Sequence, residues 1–247
     1  MPRINSPAEL EEFRRDIISK RGPNKPCIAV CTGTGCLALG AAKVVAPFKE
    51  EIKKQGLETK VDVRETGCPG FCERGPLTVI YPEEICYLQV QPGDAEEIVS
   101  QTILAKKVID RLLYVDPTTS AKIAHESEIP FYRKQKRLLI GNNIKVDPKS
   151  IDDYLAVGGY AALVKALFHQ TPEQVIEMVK QSKLRGRGGA GFPTGLKWEF
   201  ARKSLDKTKY VIVNADEGDP GAFMDRAVLE GNPFSVLEGL TIGAYAM

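Results

Sequence analysis

The chain has 247 residues with 34 basic and 32 acidic side chains, a formal net charge of +2, so its charge balance gives no pull toward nucleic acid. That length can bury two modest cores. No apolar h-region opens the chain, and the best apolar run, Leu37 to Phe48, is broken by Lys43 and Pro47, so neither export nor direct membrane insertion is expected. Six cysteines in such a chain read as free thiols or metal ligands in a cytoplasmic, reducing setting.

Ser6-Pro7-Ala8-Glu9 predicts a helix start with a capping box and proline in the first turn. Leu10, Phe13 and Ile17 then give it one apolar face. Pro26 to Cys31 reads as a short buried strand, Leu39 to Gln55 as a helix stopped by Gly56, and Val61 with Val63 as a second strand. Leu77 to Tyr81 and Ile85 to Val90 read as two more strands, joined by Pro82-Glu83-Glu84 as a hairpin turn. Asp94 is the expected cap of a helix reaching about Ala105. Residues 107–150, punctuated by Asp116-Pro117 and Asp147-Pro148, form the candidate linker between a first domain (1–106) and a second (151–247). Its basic run, Tyr132 to Arg137, reads as solvated surface, with contact to a partner subunit as the sharper alternative. Helices follow over Ile151 to Val157, Tyr160 to His169, and Pro172 to Lys183 with Thr171 as cap.

Cys31 and Cys36, then Cys68 and Cys72, lie in loops just after two predicted strands, with Gly33, Gly35, Gly67 and Gly70 beside them. An iron–sulfur cluster needs four thiolates converging on a small volume. It also gains from bare backbone N–H groups that can reach its sulfides, which small residues provide. Structural zinc is the alternative, although zinc sites usually space their paired ligands more tightly. A Rieske centre would need two histidines, and His125 and His169 lie far along the chain. Cys27 sits four residues before Cys31, roughly 13 Å along a strand, too far to share a cluster. Cys86 alternates with Leu88 and Val90, so both extra cysteines read as core.

Leu184 to Trp198 (LRGRGGAGFPTGLKW) is glycine-rich, flanked by cations, and leads into a helix near Thr194. Free amides at a helix N-terminus make a seat for phosphate. Gly186, Gly188 and Gly191 also satisfy G-x-G-x-x-G, but the Rossmann fingerprint needs a strand immediately before it. Thr171 to Lys183 has helical spacing instead, so that reading fails. Tyr210 to Val213 predicts a strand buried on both faces. Asn214-Ala215-Asp216-Glu217-Gly218-Asp219-Pro220 would emerge from it where open α/β sheets bind ligands.

LRGRGGAGFPTGLKW with YVIVNADEGDPGAFMDR (Tyr210 to Arg226) closely resembles the flavin-carrying NADH-oxidising subunit of respiratory complex I. The likeness is greater still to the related subunit of soluble NAD-linked, often electron-bifurcating, hydrogenases. The element order β-α-β-β-β-α behind a leading helix resembles a thioredoxin-like [2Fe-2S] ferredoxin. The resemblance implies an α/β chain: a thioredoxin-like ferredoxin domain followed by the first part of a complex I-type flavin-binding α/β domain. It implies that Cys31, Cys36, Cys68 and Cys72 hold one [2Fe-2S] cluster. Gly186, Arg187, Gly188, Gly189, Ala190, Gly191 and Gly195, with Asn214, Asp216 and Glu217, would help hold FMN. Phe192, Lys197 and Phe200 would contact NADH, with Asp219 near the nicotinamide end and Lys197 as a fixed positive charge. Trp198 reads as core. Hydride would pass from NADH to FMN and electrons would leave singly through iron–sulfur subunits of the same assembly.

Family members continue past Leu240 to Met247, so the [4Fe-4S] cluster of the family is expected only in a missing C-terminal part. A half-built sheet would leave the Tyr210 to Asp216 strand with open edges, so residues 1–247 alone are expected to bind FMN weakly or not at all unless a second chain completes the fold. The alternative function is a non-enzymatic [2Fe-2S] electron carrier whose C-terminal part only docks a partner.

Overall fold

The computed structural model describes residues 3–22 and 24–247. Among these, no helix is long and apolar enough to cross a membrane. In α1 (Pro7–Arg21) the Ser6 hydroxyl accepts from the Glu9 N–H at 3.2 Å, as the capping signal predicts. The return arm differs: the Glu9 carboxylate takes the Asn5 N–H at 2.8 Å. The apolar face of α1 does not cover the first domain. Leu10, Phe13 and Ile17 pack on Leu155 of α6 (Ile151–Ala156), and Arg14 donates to the carbonyls of Leu155 and Gly159.

The first half is built on a four-stranded sheet in the order β2-β1-β3-β4. β1 (Cys27–Cys31) runs parallel to β2 (Asp62–Thr66) and antiparallel to β3 (Thr78–Tyr81), which pairs antiparallel with β4 (Ile85–Tyr87). Every residue of β1 is buried, as a strand covered on both faces must be. The pleat sends Ile28, Val30, Ile80 and Tyr87 to one face and Val79 and Cys86 to the other. Val44, Phe48 and Ile52 of α3 (Ala41–Lys54) cover the first face, with Ile98, Val99 and Ile103 beside them. α3 falls within the helix predicted from Leu39 to Gln55; an additional short α2 (Thr34–Ala38) precedes it, and Gly40 at φ 93° separates the two.

Three local expectations are corrected. β4 stops at Tyr87 because the next amides turn elsewhere: Leu88 donates to Leu112 and Val90 to Pro76. Gln91, not Asp94, begins the following helical run. Asp94 is the third residue of that capping box and accepts the Gln91 N–H at 2.7 Å. The run passes through α4 (Ala95–Glu97) into π geometry over Ile98–Leu104. Residues 107–150, expected to be a linker, instead cover the second face of the sheet. Ile129, Tyr132 of α5 (Pro130–Arg133) and Ile144 pack against Leu77, Val79 and Cys86. Apolar area left in water on that face would cost about 25 cal/mol per Å², and this segment removes it. Tyr114–Val115 and Lys122–Ile123 pair there as a small hairpin. Within the basic run Tyr132 is buried with the Arg137 guanidinium 4.2 Å over its ring, and Arg137 pairs with Glu126 at 2.8 Å. Arg133 to Lys136 are exposed, as a solvated surface requires.

The second half is helical. α7 (Ala161–His169), α8 (Pro172–Gln181), α9 (Thr194–Lys203) and α11 (Pro233–Ala246) meet around Ala166, Val175, Ile176 and Ala246, with Trp198 packed on them as predicted. α10 (Met224–Gly231) runs from this half toward the sheet. The predicted strand at Tyr210 to Val213 does not form: the segment is irregular, with Tyr210 84% and Ile212 85% exposed. A strand buried on both faces needs neighbours on both edges, and among the described residues no strand lies beside it.

Candidate functional site

The parallel pairing of β1 with β2 sets the register Cys31↔Thr66, so the loops that leave the two strands emerge at one edge of the sheet. Cys31 ends β1, Cys36 lies in α2, and Cys68 and Cys72 follow β2 on the facing loop. The four thiols meet there as a run of contacts. Cys31 lies near enough to Cys36 and Cys68 for both to perturb its thiol, and Cys68 Sγ lies 3.2 Å from Cys72 Sγ. Among the described residues no three His, Cys, Asp or Glu side chains are arranged around a single metal ion.

The backbone between them is shaved to fit. A Cβ on Gly33 would lie 2.7 Å from Cys68 Cβ, and one on Gly35 would lie 2.9 Å from Cys72 Cβ. Gly75, which sequence reasoning passed over, is constrained likewise: a Cβ there would lie 2.7 Å from Cys36 Sγ. Gly70, at φ 103°, donates its bare N–H to Cys68 Sγ at 3.3 Å.

Crowding splits the thiols electrostatically. Hydrogen bonds to Cys36 and Cys68, with burial added, push the Cys31 thiol far up. The Cys31 hydrogen bond lowers Cys36 and brings Cys68 down to about 6, where Cys72 and the Gly70 amide assist. Burial and the neighbouring Cys68 raise Cys72 to about 12. Thiolate is the ligating form, and a cation among four sulfurs favours it at all of them. The donor set, the bare amide and the trimmed backbone therefore fit an iron–sulfur cluster. Cys27 and Cys86 stay apart as expected: burial raises Cys27 to about 11 and Cys86 further, and Cys86 packs with Val79 in the core.

The glycine-rich loop joins α8 to α9, which supports setting the Rossmann reading aside. It is closed at its neck by Gly186 N–H to Phe192 carbonyl at 2.9 Å and Thr194 N–H to Leu184 carbonyl at 2.9 Å. The Arg185 guanidinium holds the Gly191 carbonyl at 3.0 Å. Gly188, Gly189 and Gly191 have open space where a Cβ would be, and Ala190 is exposed between them. Among the described residues the amides from Gly188 to Gly191 meet no other acceptor, so they are free for an anion before the start of α9. Phe192 and Phe200 are exposed with ring centroids 6.4 Å apart, and Lys197 is exposed one turn before Phe200. Gly195 behaves differently: it is buried against α8, and a Cβ there would sit 2.7 Å from the Lys180 backbone nitrogen. In this fold it packs α9 closely on α8.

The acidic loop is engaged within the chain. Asn214 accepts the Asp216 N–H at 2.8 Å, and Asp219 accepts from Ala222 through its carbonyl. Glu217 caps α10, taking the N–H groups of Met224, Asp225 and Arg226 at 2.5, 3.1 and 3.2 Å. Burial raises this carboxyl, and the three backbone donors outweigh that and hold it below its ordinary range. Glu217 thus caps the first turn of α10.

One cavity of about 620 Å³ joins the two regions. Cys68 and Cys72 line it from one side, Arg187 of the glycine loop and Met224 of α10 from others, and Leu138 and Leu139 at its rim. Asn214, Asp216, Asp219, Phe192, Lys197 and Phe200 do not line it.

Residues 16–103 match the family model described as thioredoxin-like [2Fe-2S] ferredoxin, and residues 179–247 match the Nuo51 FMN-binding domain. The NADP-reducing hydrogenase subunit HndC of Solidesulfovibrio fructosivorans is 56% identical over 115 residues, 47% of this chain and 23% of that one. The NAD-reducing hydrogenase HoxS subunit alpha of Cupriavidus necator is 33% identical over 193 residues, 74% of this chain and 28% of that one. A solved thioredoxin-like [2Fe-2S] ferredoxin from Aquifex aeolicus aligns at 28% identity and a TM-score of 0.34, over 36% of this chain and 95% of that one. The chain spans about a quarter of the length of the curated relatives it matches.

Proposed function

From a chain that joins a thioredoxin-like [2Fe-2S] ferredoxin domain to part of a Nuo51-type FMN-binding domain, we propose an NADH-oxidising, flavin-bearing subunit. It works in a soluble hydrogenase-type or complex I-type assembly and passes electrons from NADH through FMN to iron–sulfur subunits. The observation that carries this reading is the meeting of four cysteines at one sheet edge, two of them, Cys68 and Cys72, on the same cavity that Arg187 and α10 reach.

When bound, the flavin supplies hydride acceptance and single-electron release, and the cluster supplies one-electron transfer. The chain supplies position and charge. Cys31, Cys36, Cys68 and Cys72 ligate the cluster, and the Gly70 N–H steadies a sulfur. The free amides from Gly188 to Gly191, flanked by Arg187, seat a phosphate. Phe192 and Phe200 offer ring faces to a nucleotide, and Lys197 adds a fixed positive charge beside them. On the flavin side Tyr210, Ile212 and Val213 are exposed and Glu217 caps α10. Residues 1–247 alone therefore hold FMN weakly, and stoichiometric FMN on that purified polypeptide would overturn this statement.

The test of the function is NADH-dependent dye reduction by the chain assembled with its partner subunits. Turnover with reduction of the cluster is expected. A cluster spectrum without turnover would make the protein a carrier, and a colourless, zinc-loaded preparation would reject both.

A further inference from the structure

Asn143 opens a 3₁₀ turn (Asn143–Lys145) in the segment that covers the second face of the sheet. Its side chain is 0% exposed, yet it belongs to none of the apolar clusters. Its amide nitrogen donates to the Cys68 carbonyl at 3.0 Å and to the Ala227 carbonyl of α10 at 3.0 Å. Its backbone carbonyl accepts the Gly67 N–H at 3.1 Å, one residue before Cys68. Its side-chain oxygen is buried and has no partner. The two backbones it joins are in direct contact: a Cβ on Gly67 would lie 2.2 Å from the Gly231 Cα, and one on Gly231 would lie 2.4 Å from the Asn143 amide nitrogen. A second tie runs alongside, the Thr34 hydroxyl donating to Glu230 of α10 at 2.6 Å. At its other end α10 is capped by Glu217 from the acidic loop.

We propose that Asn143 is a positioning residue that fastens the Cys68 loop to α10, so that the flavin-side helix helps set the environment of the [2Fe-2S] cluster. The inference rests on reading the four cysteines as its ligands. An amide is suited to this post because two N–H groups on one nitrogen satisfy two carbonyls at once. A carboxylate of the same shape can donate to neither and would place negative charge against both. Buried polar groups are hydrogen-bonded as a rule, so the unpartnered oxygen indicates that the donor half of the amide holds this residue in place.

The experiment compares the cluster-loaded full chain with Asn143→Asp, Asn143→Ala and Thr34→Val, using Asn142→Asp as a control at the exposed neighbouring position. The readouts are the EPR spectrum of the reduced cluster, its midpoint potential, and amide exchange across residues 224–231. Asn143→Asp is expected to lower the potential and displace the g values. Asn143→Ala should displace them less, and Thr34→Val least. Both Asn143 variants should speed α10 exchange about tenfold, the scale of one lost buried hydrogen bond, while Asn142→Asp changes none of these. Should Asn143→Asp fail to fold, Asn143→Ala and Thr34→Val decide by the same readouts, since neither adds charge. Spectra and potentials identical to wild type in the folded variants overturn the inference alone. A wild-type chain with no iron–sulfur signal overturns the ligand reading and the inference together.

Discussion

Around the four cysteines each loop is fixed from several sides: β1 and β2 deliver them, Gly33 and Gly35 let the backbones close, and Asn143 ties the far loop down. Around the glycine and acidic loops the chain stands open, with Tyr210, Ile212, Phe192 and Phe200 facing solvent. Both regions carry strong sequence motifs, so motif strength is not what separates them. The cluster end has its sheet and both covering layers inside these residues, whereas among the described residues no strand pairs with Tyr210 to Val213 at the flavin end. A binding motif becomes a site only where the surrounding chain supplies the packing that fixes it.

The largest expected effect tests the closed end. Replacing any one of Cys31, Cys36, Cys68 or Cys72 with Ala should abolish the [2Fe-2S] absorption and EPR signal. Cys86→Ala should retain both, because Cys86 pairs with Val79 within the sheet and is not on the loops that leave its edge. A variant of the quartet that kept a full cluster signal would remove that residue from the ligand set. Next comes a pair of stability measurements that sets one region against the other. Ile28→Ala, in the buried centre of the sheet, should cost about 2–5 kcal/mol in denaturant unfolding, since Ile28 is fully buried. Ile212→Ser, at a residue in solvent, should stay within about 0.5 kcal/mol of wild type. A large loss from Ile212→Ser would mean that this segment is packed in solution, and the contrast between the two ends would fall. A smaller effect is expected from Gly189→Ala. Gly189 adopts φ 100° with open space around it, so the change should weaken nucleotide or phosphate binding in the assembled enzyme while sparing the cluster spectrum.

Much of the closed end was legible because local signals and tertiary demands agree there. The Ser6 cap, the strand at Cys31 and the glycine-spaced cysteines all appear where periodicity and turn chemistry put them, as does the Thr171 cap in the helical half. The covering segment 107–150 was not legible. Ile129, Tyr132 and Ile144 are too widely spaced to show a period, and their burial follows only from a sheet face that needs a cover. Asn143 left no signal, since an Asn in an irregular stretch reads as turn chemistry until its partners 75 and 84 residues away are known. Tyr210 to Val213 failed for the opposite reason. Its apolar run states a strand correctly in local terms, but a strand exists only with a neighbour. The α1 face was read correctly as apolar, while its partner in α6 was beyond the reach of local pattern.

The smallest effect concerns the link between the two ends. Glu217 holds the first turn of α10 through three backbone N–H groups, and these donors keep its carboxyl below the ordinary value of 4.5. A carboxyl lowered in the folded state contributes stability that is present above its unfolded pKa and is lost as pH falls through the folded one. Amide protection of Met224, Asp225 and Arg226 should therefore be flat from neutral pH down to about 4.5, once the intrinsic pH dependence of exchange is removed, and should decline below it. Glu217→Gln should flatten that decline while starting from weaker protection, because a neutral amide oxygen is a poorer acceptor at a helix N-terminus. Since α10 also touches Asn143 and Thr34, the acid-induced loosening should spread to the Gly67 amide in wild type and less so in Thr34→Val. Exchange at Gly67 that ignores the state of Glu217 would show that the two ends share a helix without sharing its stability.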